Sequence, residues 1–205
     1  MHEETLGKAI APLFPLLPKF RGFYLSGGTG MALQLGHRIS ADFDLFSNEE
    51  IKKSLLTEVQ KIFVGKTIIP LVNDKEELTV FVNGGKITFL HYPFPVIRKF
   101  VYCKNVPVLS YKEIAATKAY TIGRRGSLKD YIDLYFAMKT GKMKLKEIMD
   151  LAQKKYSTAW NDRLFLEQLI YLNDIEDSPV KFLKKPITKR QLATAFAEKI
   201  KSLGL

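Results

Sequence analysis

Between residues 23 and 46 the chain reads FYLSGGTGMALQLGHRISADFDLF. An apolar run, Phe23-Tyr24-Leu25, predicts a strand that stops at Gly27-Gly28, where φ > 0 and close approach of a ligand to the backbone are both permitted. Thr29 is placed to cap a short helix over 30–36. The alternation Ala41-Asp42-Phe43-Asp44-Leu45 then predicts a second strand over 41–46, with acid on one face and apolar side chains on the other.

The flanking patterns extend this order. Residues 3–20 predict a leading helix interrupted by Pro12, Pro15 and Pro18. Ser47, with Glu50 at the third position, predicts a helix start, and Ile51, Leu55, Leu56, Val59 and Ile62 recur at helical spacing behind it. Thr67 to Val72, Leu78 to Val82 and Lys86 to His91 are β-rich runs separated by Asn73-Asp74 and Asn83-Gly84-Gly85, which predicts a three-stranded antiparallel meander. VYCKNVPVLS predicts one more strand before a helix from about Tyr111 to Ile122, capped by Ser110 with Glu113 closing the box. Gly123-Arg124-Arg125-Gly126 breaks that helix, a second runs from Leu128 to Met138, and the rest reads helical apart from a loop at 177–186. Mixed sheet first and helices last predicts an α+β fold, with an N-terminal core over 1–108 and a helical region over 109–205.

Asp42 and Asp44 project from the same strand face. Two carboxylates side by side repel unless a cation lies between them, and hard oxygen ligands suit Mg2+ or Mn2+ better than zinc. A helix N-terminus behind Gly27 and Gly28 would favour a phosphate. Together these predict half of a two-metal phosphoryl-transfer site.

Composition narrows the partner. Thirty-two Lys and Arg against twenty-one Asp and Glu give a formal net charge of +11, which points to a polyanion, although a solvated lysine-rich surface gives the same count. The lysines gather late, with Lys139, Lys142, Lys144, Lys146, Lys154 and Lys155 in one group and Lys181, Lys184, Lys185, Lys189 and Arg190 in another. Cys103 is the single cysteine, so no intrachain disulfide forms. No apolar run reaches the length of a membrane span, and the N-terminus lacks a signal-peptide pattern, so the cytoplasm is the expected compartment.

Lys118 falls in an otherwise small and apolar run, Ile114-Ala115-Ala116-Thr117-Lys118-Ala119, where a surface lysine is not expected. Asp130 suits either a site or the capping pattern Ser127-Leu128-Lys129-Asp130, and Asp133 lies on the same helical face. His37, Arg38, Arg124 and Arg125 adjoin glycine turns, within reach of a phosphate oxygen or of solvent alone. His91 reads as a strand-end residue, Cys103 as a buried small side chain and Trp160 as packing.

Strand, Gly-Gly-Thr, helix and Asp-Phe-Asp resemble the signature of the nucleotidyltransferase superfamily with a polymerase-β-like core. GGTGMALQLGHRISADFDLF, followed by LSYKEIAATKAYTIGRRGSLKDYIDLYF, resembles the AbiEii/AbiGii toxin family of type IV toxin–antitoxin and abortive-infection systems, and YLNDIEDSPVKFL extends the likeness. The resemblance implies transfer of a nucleoside monophosphate from a nucleoside triphosphate (NTP) to an acceptor hydroxyl, with RNA, tRNA in some relatives, as the acceptor. It also implies a cognate antitoxin encoded nearby. Carried over by position, Gly27, Gly28 and Thr29 form the phosphate loop, beside which the residue reading places Arg38 as a nucleotide-binding candidate. Asp42 and Asp44 bind Mg2+ or Mn2+, Lys118 meets the triphosphate, and Asp130 is the later aspartate. The superfamily's third carboxylate has no counterpart on Lys86-Ile87-Thr88-Phe89-Leu90-His91. Asp130 or Asp133 could replace it from the helix, His91 could contribute, one metal could suffice, or the protein could be a non-catalytic nucleotide or RNA binder.

Overall fold

A computed structural model describes residues 1–204. In place of the predicted leading helix the chain has a 3₁₀ turn over Glu3–Thr5 and a longer 3₁₀ segment over Ala11–Lys19. Prolines recurring every third residue fall on one side of a three-residue turn, which leaves Leu13, Phe14 and Leu17 free to bury on the other.

Seven strands follow, β1 (Tyr24–Leu25), β2 (Asp42–Ser47), β3 (Ile68–Asn73), β4 (Glu77–Val82), β5 (Gly85–His91), β6 (Val101–Cys103) and β7 (Val106–Val108). They form one sheet in the order β3-β4-β5-β2-β1-β7-β6. The meander of β3, β4 and β5 is antiparallel as the turn residues predict. Its last strand lies parallel to β2, pairing Asp44 with Thr88 and Asp42 with Lys86, and β1 pairs antiparallel to β2 and parallel to β7. The predicted single strand 101–110 is instead a tight hairpin, because Lys104 and Asn105 both take positive φ (47° and 66°), the conformation of a two-residue turn between twisted strands.

The helices are α1 (Gly27–Leu35), α2 (Leu55–Ile62), α3 (Tyr111–Arg125), α4 (Leu128–Lys139), α5 (Leu145–Tyr156), α6 (Asp162–Ile170) and α7 (Lys189–Lys201). α2 begins later than predicted, behind Ser54, while the Ser47 hydroxyl accepts a bond from the Glu49 amide. α3 continues through Gly123 and ends at Gly126, whose extended backbone stops it.

The sheet separates two apolar clusters. Phe43, Leu45, Ile87 and Phe89 point into one, which the 3₁₀ segment and α2 close. Met31, Ile114, Tyr131, Phe136 and Phe196 centre the other, among α1 and α3 to α7. The second cluster forces α3 and α4 over the acidic face of β2 and thereby makes a cleft.

Glu113 departs from the capping box that its position predicts. The Ser110 hydroxyl accepts the Glu113 amide, but the Glu113 carboxylate accepts the amides of Ile97 and Arg98 and the ammonium of Lys155 at 2.7 Å, with both side chains wholly buried. Lys155 also donates to the Pro95 carbonyl. This pair ties the loop before β6 to α3 and α5.

Candidate active site

Asp42 and Asp44 stand side by side on the cleft floor, as the alternation of β2 requires. Gly27 is what allows Asp44 its position. Its φ is +61°, and a Cβ there would lie 2.0 Å from Asp44 Oδ2, so any side chain would displace the carboxylate. Gly28 does the same for Arg38, since a Cβ would meet the guanidinium Nη2 at 2.3 Å. The two glycines thus seat protein groups against the head of α1, which begins at Gly27 with Ser26 as its N-cap residue. Thr29 therefore lies in the first turn and does not cap. Its hydroxyl donates to the Asp42 carbonyl and ties the helix to the strand.

Burial raises Asp44 to about 6, helped by Asp42, while Lys118 and Lys86 oppose the rise. A carboxylate so raised is one that gains from a nearby cation. Asp42 and Asp44 offer oxygen donors from one strand face, the number that Mg2+ commonly takes from protein when substrate phosphates and water complete its shell. Among the described residues no group of three His, Cys, Asp or Glu is gathered as a metal cage.

The wall opposite is a charge network from α3, α4 and the loop before β2. Lys118 Nζ lies 2.6 Å from Asp130 Oδ1 and 3.4 Å from Asp133 Oδ2. Burial would lower the Lys118 value, and the two aspartates more than reverse that, holding the ammonium charged. Asp130 also accepts the Ser127 amide at 3.0 Å, so its capping role and its contact with Lys118 coexist. Asp133 is fully buried. It accepts Arg38 Nε at 2.7 Å and Nη2 at 2.9 Å in a two-pronged pair, and His37 Nε2 lies 2.8 Å away. Burial opposes its ionisation, but Arg38, Lys118 and His37 drive its titration far below the usual carboxylate range.

The cleft has two lobes that share Asp44, Lys118, Ser127 and Asp130. One, of about 310 Å³, adds Gly28, Arg38, Ser40, Asp42, Lys129 and the segment Pro179–Lys181. The other, of about 350 Å³, adds Gly27, Phe46, Glu77, Lys86, Thr88, Thr117, Thr121 and Arg125. The segment after α6 reaches the first lobe by pairing with the loop before β2: Ile39 donates to the Lys181 carbonyl and Leu183 to that of His37. A larger hollow of about 730 Å³, between Arg98, Lys112 and α5, shares no residue with the cleft.

Gly27, Gly28, Asp42, Asp44, Arg38, Lys118 and Asp130 thus converge, as does Arg125. Arg124 does not, since it lies over the Tyr120 ring and donates to the Ala159 carbonyl. His91 turns to Glu76, Cys103 is buried, and Trp160 packs on Phe165. Sequence reasoning missed Glu77, Lys86, Thr88 and Lys181 in the cleft. The alternation of β4 and β5 placed the first three on one face, but only the strand order shows that this face continues from Asp44. No helix among the described residues is long and apolar enough to cross a membrane.

Comparison with known proteins identifies the family and the fold. The chain is 31% identical over 157 residues to an uncharacterised protein of Aquifex aeolicus, covering 76% of each. A Helicobacter pylori protein described as a candidate nucleotidyltransferase superposes over 99% of this chain and 95% of its own, at TM-score 0.55 and 17% identity, which shows a shared fold. A Megavirus polyadenylate synthase aligns with 66% of this chain at TM-score 0.49 and 12% identity, and the chain spans 31% of that protein's length. The profile of the nucleotidyl transferase AbiEii toxin family, of type IV toxin–antitoxin systems, matches residues 9–204. The chain belongs to the AbiEii family and is a nucleotidyltransferase toxin by that membership.

Proposed function

We propose that this nucleotidyltransferase moves a nucleoside monophosphate from an NTP to a hydroxyl of RNA, with tRNA first among candidates, in a reaction dependent on Mg2+ or Mn2+. The observation that carries this reading is the convergence of Asp42 and Asp44 with the head of α1 and Lys118 in one cleft. Asp42 and Asp44 hold the cation. When bound, it polarises the phosphate oxygens and balances charge on the departing pyrophosphate. The first lobe suits the triphosphate, because Gly28 at the start of α1, Arg38 and Lys118 all line it. Arg38 is fixed by Asp133 and Lys118 by Asp130, so both cations are preorganised before substrate arrives. The acceptor oxygen attacks the α-phosphorus in line, pyrophosphate leaves on the opposite side, and positioning carries most of the rate effect. The core predicted over 1–108 then supplies the floor, the phosphate loop and the His37–Arg38 part of the wall, and the helical region that begins at 109 supplies Lys118, Asp130 and Asp133.

An RNA acceptor is supported by the net charge of +11 and by Lys86, Lys129, Lys181 and Arg125 around the cleft. The cognate antitoxin is a functional partner, with no surface assigned to it. The test is label transfer from each α-phosphorus-labelled NTP to total tRNA with Mg2+ or Mn2+, comparing wild type with Asp42→Ala and Asp44→Ala. Label that follows RNA and disappears in both variants is expected. Nucleotide binding without transfer, at equal protein stability, favours a binder or a different acceptor.

A further inference from the structure

We infer that Glu77 takes the proton of the acceptor hydroxyl through Thr88 and Thr79, so that a side-chain relay on β4 and β5 does the work for which β5 carries no carboxylate. The inference rests on the nucleotidyl transfer proposed above and assigns the second lobe to the acceptor.

Strand register puts the parts in a row. Asp44 pairs with Thr88, and Thr88 pairs with Thr79, so the three positions cross β2, β5 and β4 on one face. Glu77 is two residues before Thr79 and shares that face. Thr79 Oγ1 lies 2.5 Å from Glu77 Oε1 and 3.1 Å from Thr88 Oγ1. A threonine hydroxyl has one proton, and an ionised carboxylate can only accept. With the Thr79 proton committed to Glu77, the Thr88 proton turns to Thr79, and a Thr88 lone pair is left for the cleft. Thr79 and Thr88 are 2% and 9% exposed, so water does not interrupt the chain, while Glu77 is half-buried and exchanges with solvent.

Neighbouring strands run about 4.8 Å apart, so an oxygen placed between the Asp44 carboxylate and the Thr88 hydroxyl is within hydrogen-bond reach of both. Glu77 and Thr88 line the same lobe as Asp44 and Lys118. None of the other acids near the floor is available for this task. Asp130 is committed to Lys118 and Ser127, and Asp133 to Arg38 and His37. A threonine pair on adjacent strands is ordinary sheet packing. A half-buried carboxylate ending that pair inside the cleft is what packing alone does not require.

The step balances. The acceptor oxygen forms a bond to the α-phosphorus while the bond from phosphorus to the bridging oxygen breaks, and that electron pair leaves with pyrophosphate. The acceptor proton passes to Thr88, the Thr88 proton to Thr79 and the Thr79 proton to Glu77, which later releases it to water. Thr88 touches the acceptor and is the catalytic residue of the relay; Thr79 and Glu77 act through it.

The test uses the full chain, α-phosphorus-labelled NTPs and total tRNA, with kcat and the KM for NTP measured separately and melting temperature recorded for each variant. Glu77→Gln and Thr79→Val are expected to lower kcat by about 100-fold, the lower range of lost acid–base catalysis, with KM for NTP and melting temperature near wild type. Thr79→Ser restores the hydroxyl and is expected to recover most of what Thr79→Val loses. Wild-type kcat in Glu77→Gln overturns the relay, as does a loss in Thr79→Val that Thr79→Ser shares equally, since that pattern belongs to packing. Wild-type protein that binds NTP but labels no RNA overturns the parent reading and the relay with it, and so is distinguishable from failure of the relay alone.

Discussion

Asp133 carries more of the site than its wholly buried position suggests. Removing one partner of a buried ion pair leaves the other uncompensated, at a cost of about 3–5 kcal/mol. Asp133→Asn strands the Arg38 guanidinium, 3% exposed, beside His37 and Gly28. Denaturant unfolding of this variant is expected to show a loss in that range, and unchanged stability would contradict the clamp. Because Asp133 titrates far below the ordinary range, its contribution is present above about pH 4 and persists until strongly acidic pH. Asp44 has the opposite sign. Its value is raised to about 6, so the stability linked to its protonation is complete below about pH 4 and lost as pH rises through 6. With chelator present at pH 7, Asp44→Asn is expected to raise stability by about 1–3 kcal/mol. The gain should fade below pH 4, and Mg2+ should raise the melting temperature of wild type more than that of the variant. A stability difference that does not change with pH would overturn the assignment.

At the scale of elements, what the sequence made legible was whatever depends on short-range period. The acid-and-apolar alternation of β2, the meander and the helices bearing Lys118 and Asp130 all follow from spacing a few residues long. Exceptions arise where a local signal had a stronger long-range competitor. Glu113 has capping-box spacing, yet its carboxylate is taken by Lys155 and by the amides of Ile97 and Arg98, groups 15 to 42 positions away. Gly123 weakens a helix by about 1 kcal/mol relative to alanine, which α3 sustains because Ile114, Ala115, Ala119 and Ile122 bury its other turns. Lys104 and Asn105 carry no glycine to announce a turn, so the hairpin of β6 and β7 was hidden. Glu77 and Thr88 could not be assigned to the cleft from sequence because membership depends on β5 lying beside β2, a pairing of strands some forty residues apart. Gly27 and Gly28 were visible as special, but their immediate neighbours, Asp44 and Arg38, were not.

Across the whole molecule the excess of +11 is unevenly useful. Lys118, Arg38 and Lys155 are neutralised by buried partners, whereas Lys129 and Lys181 are exposed at the cleft. Charges of the second kind would meet the proposed RNA acceptor by releasing its counterions, so the affinity for a single-stranded RNA probe is expected to fall linearly with salt on a log–log plot. Lys129→Ala and Lys181→Ala are each expected to reduce that slope by about 0.7. An unchanged slope in both would place the RNA elsewhere on the surface.

The pairing of Arg38 with Phe182 has a consequence for synthesis. The acids, the glycine loop and the lysine helix all leave the ribosome well before the segment after α6 that completes the first lobe. A nascent chain therefore carries the acids of the candidate floor while one wall of the first lobe is still missing. In a toxin, that order delays a finished first lobe until the segment after α6 has emerged.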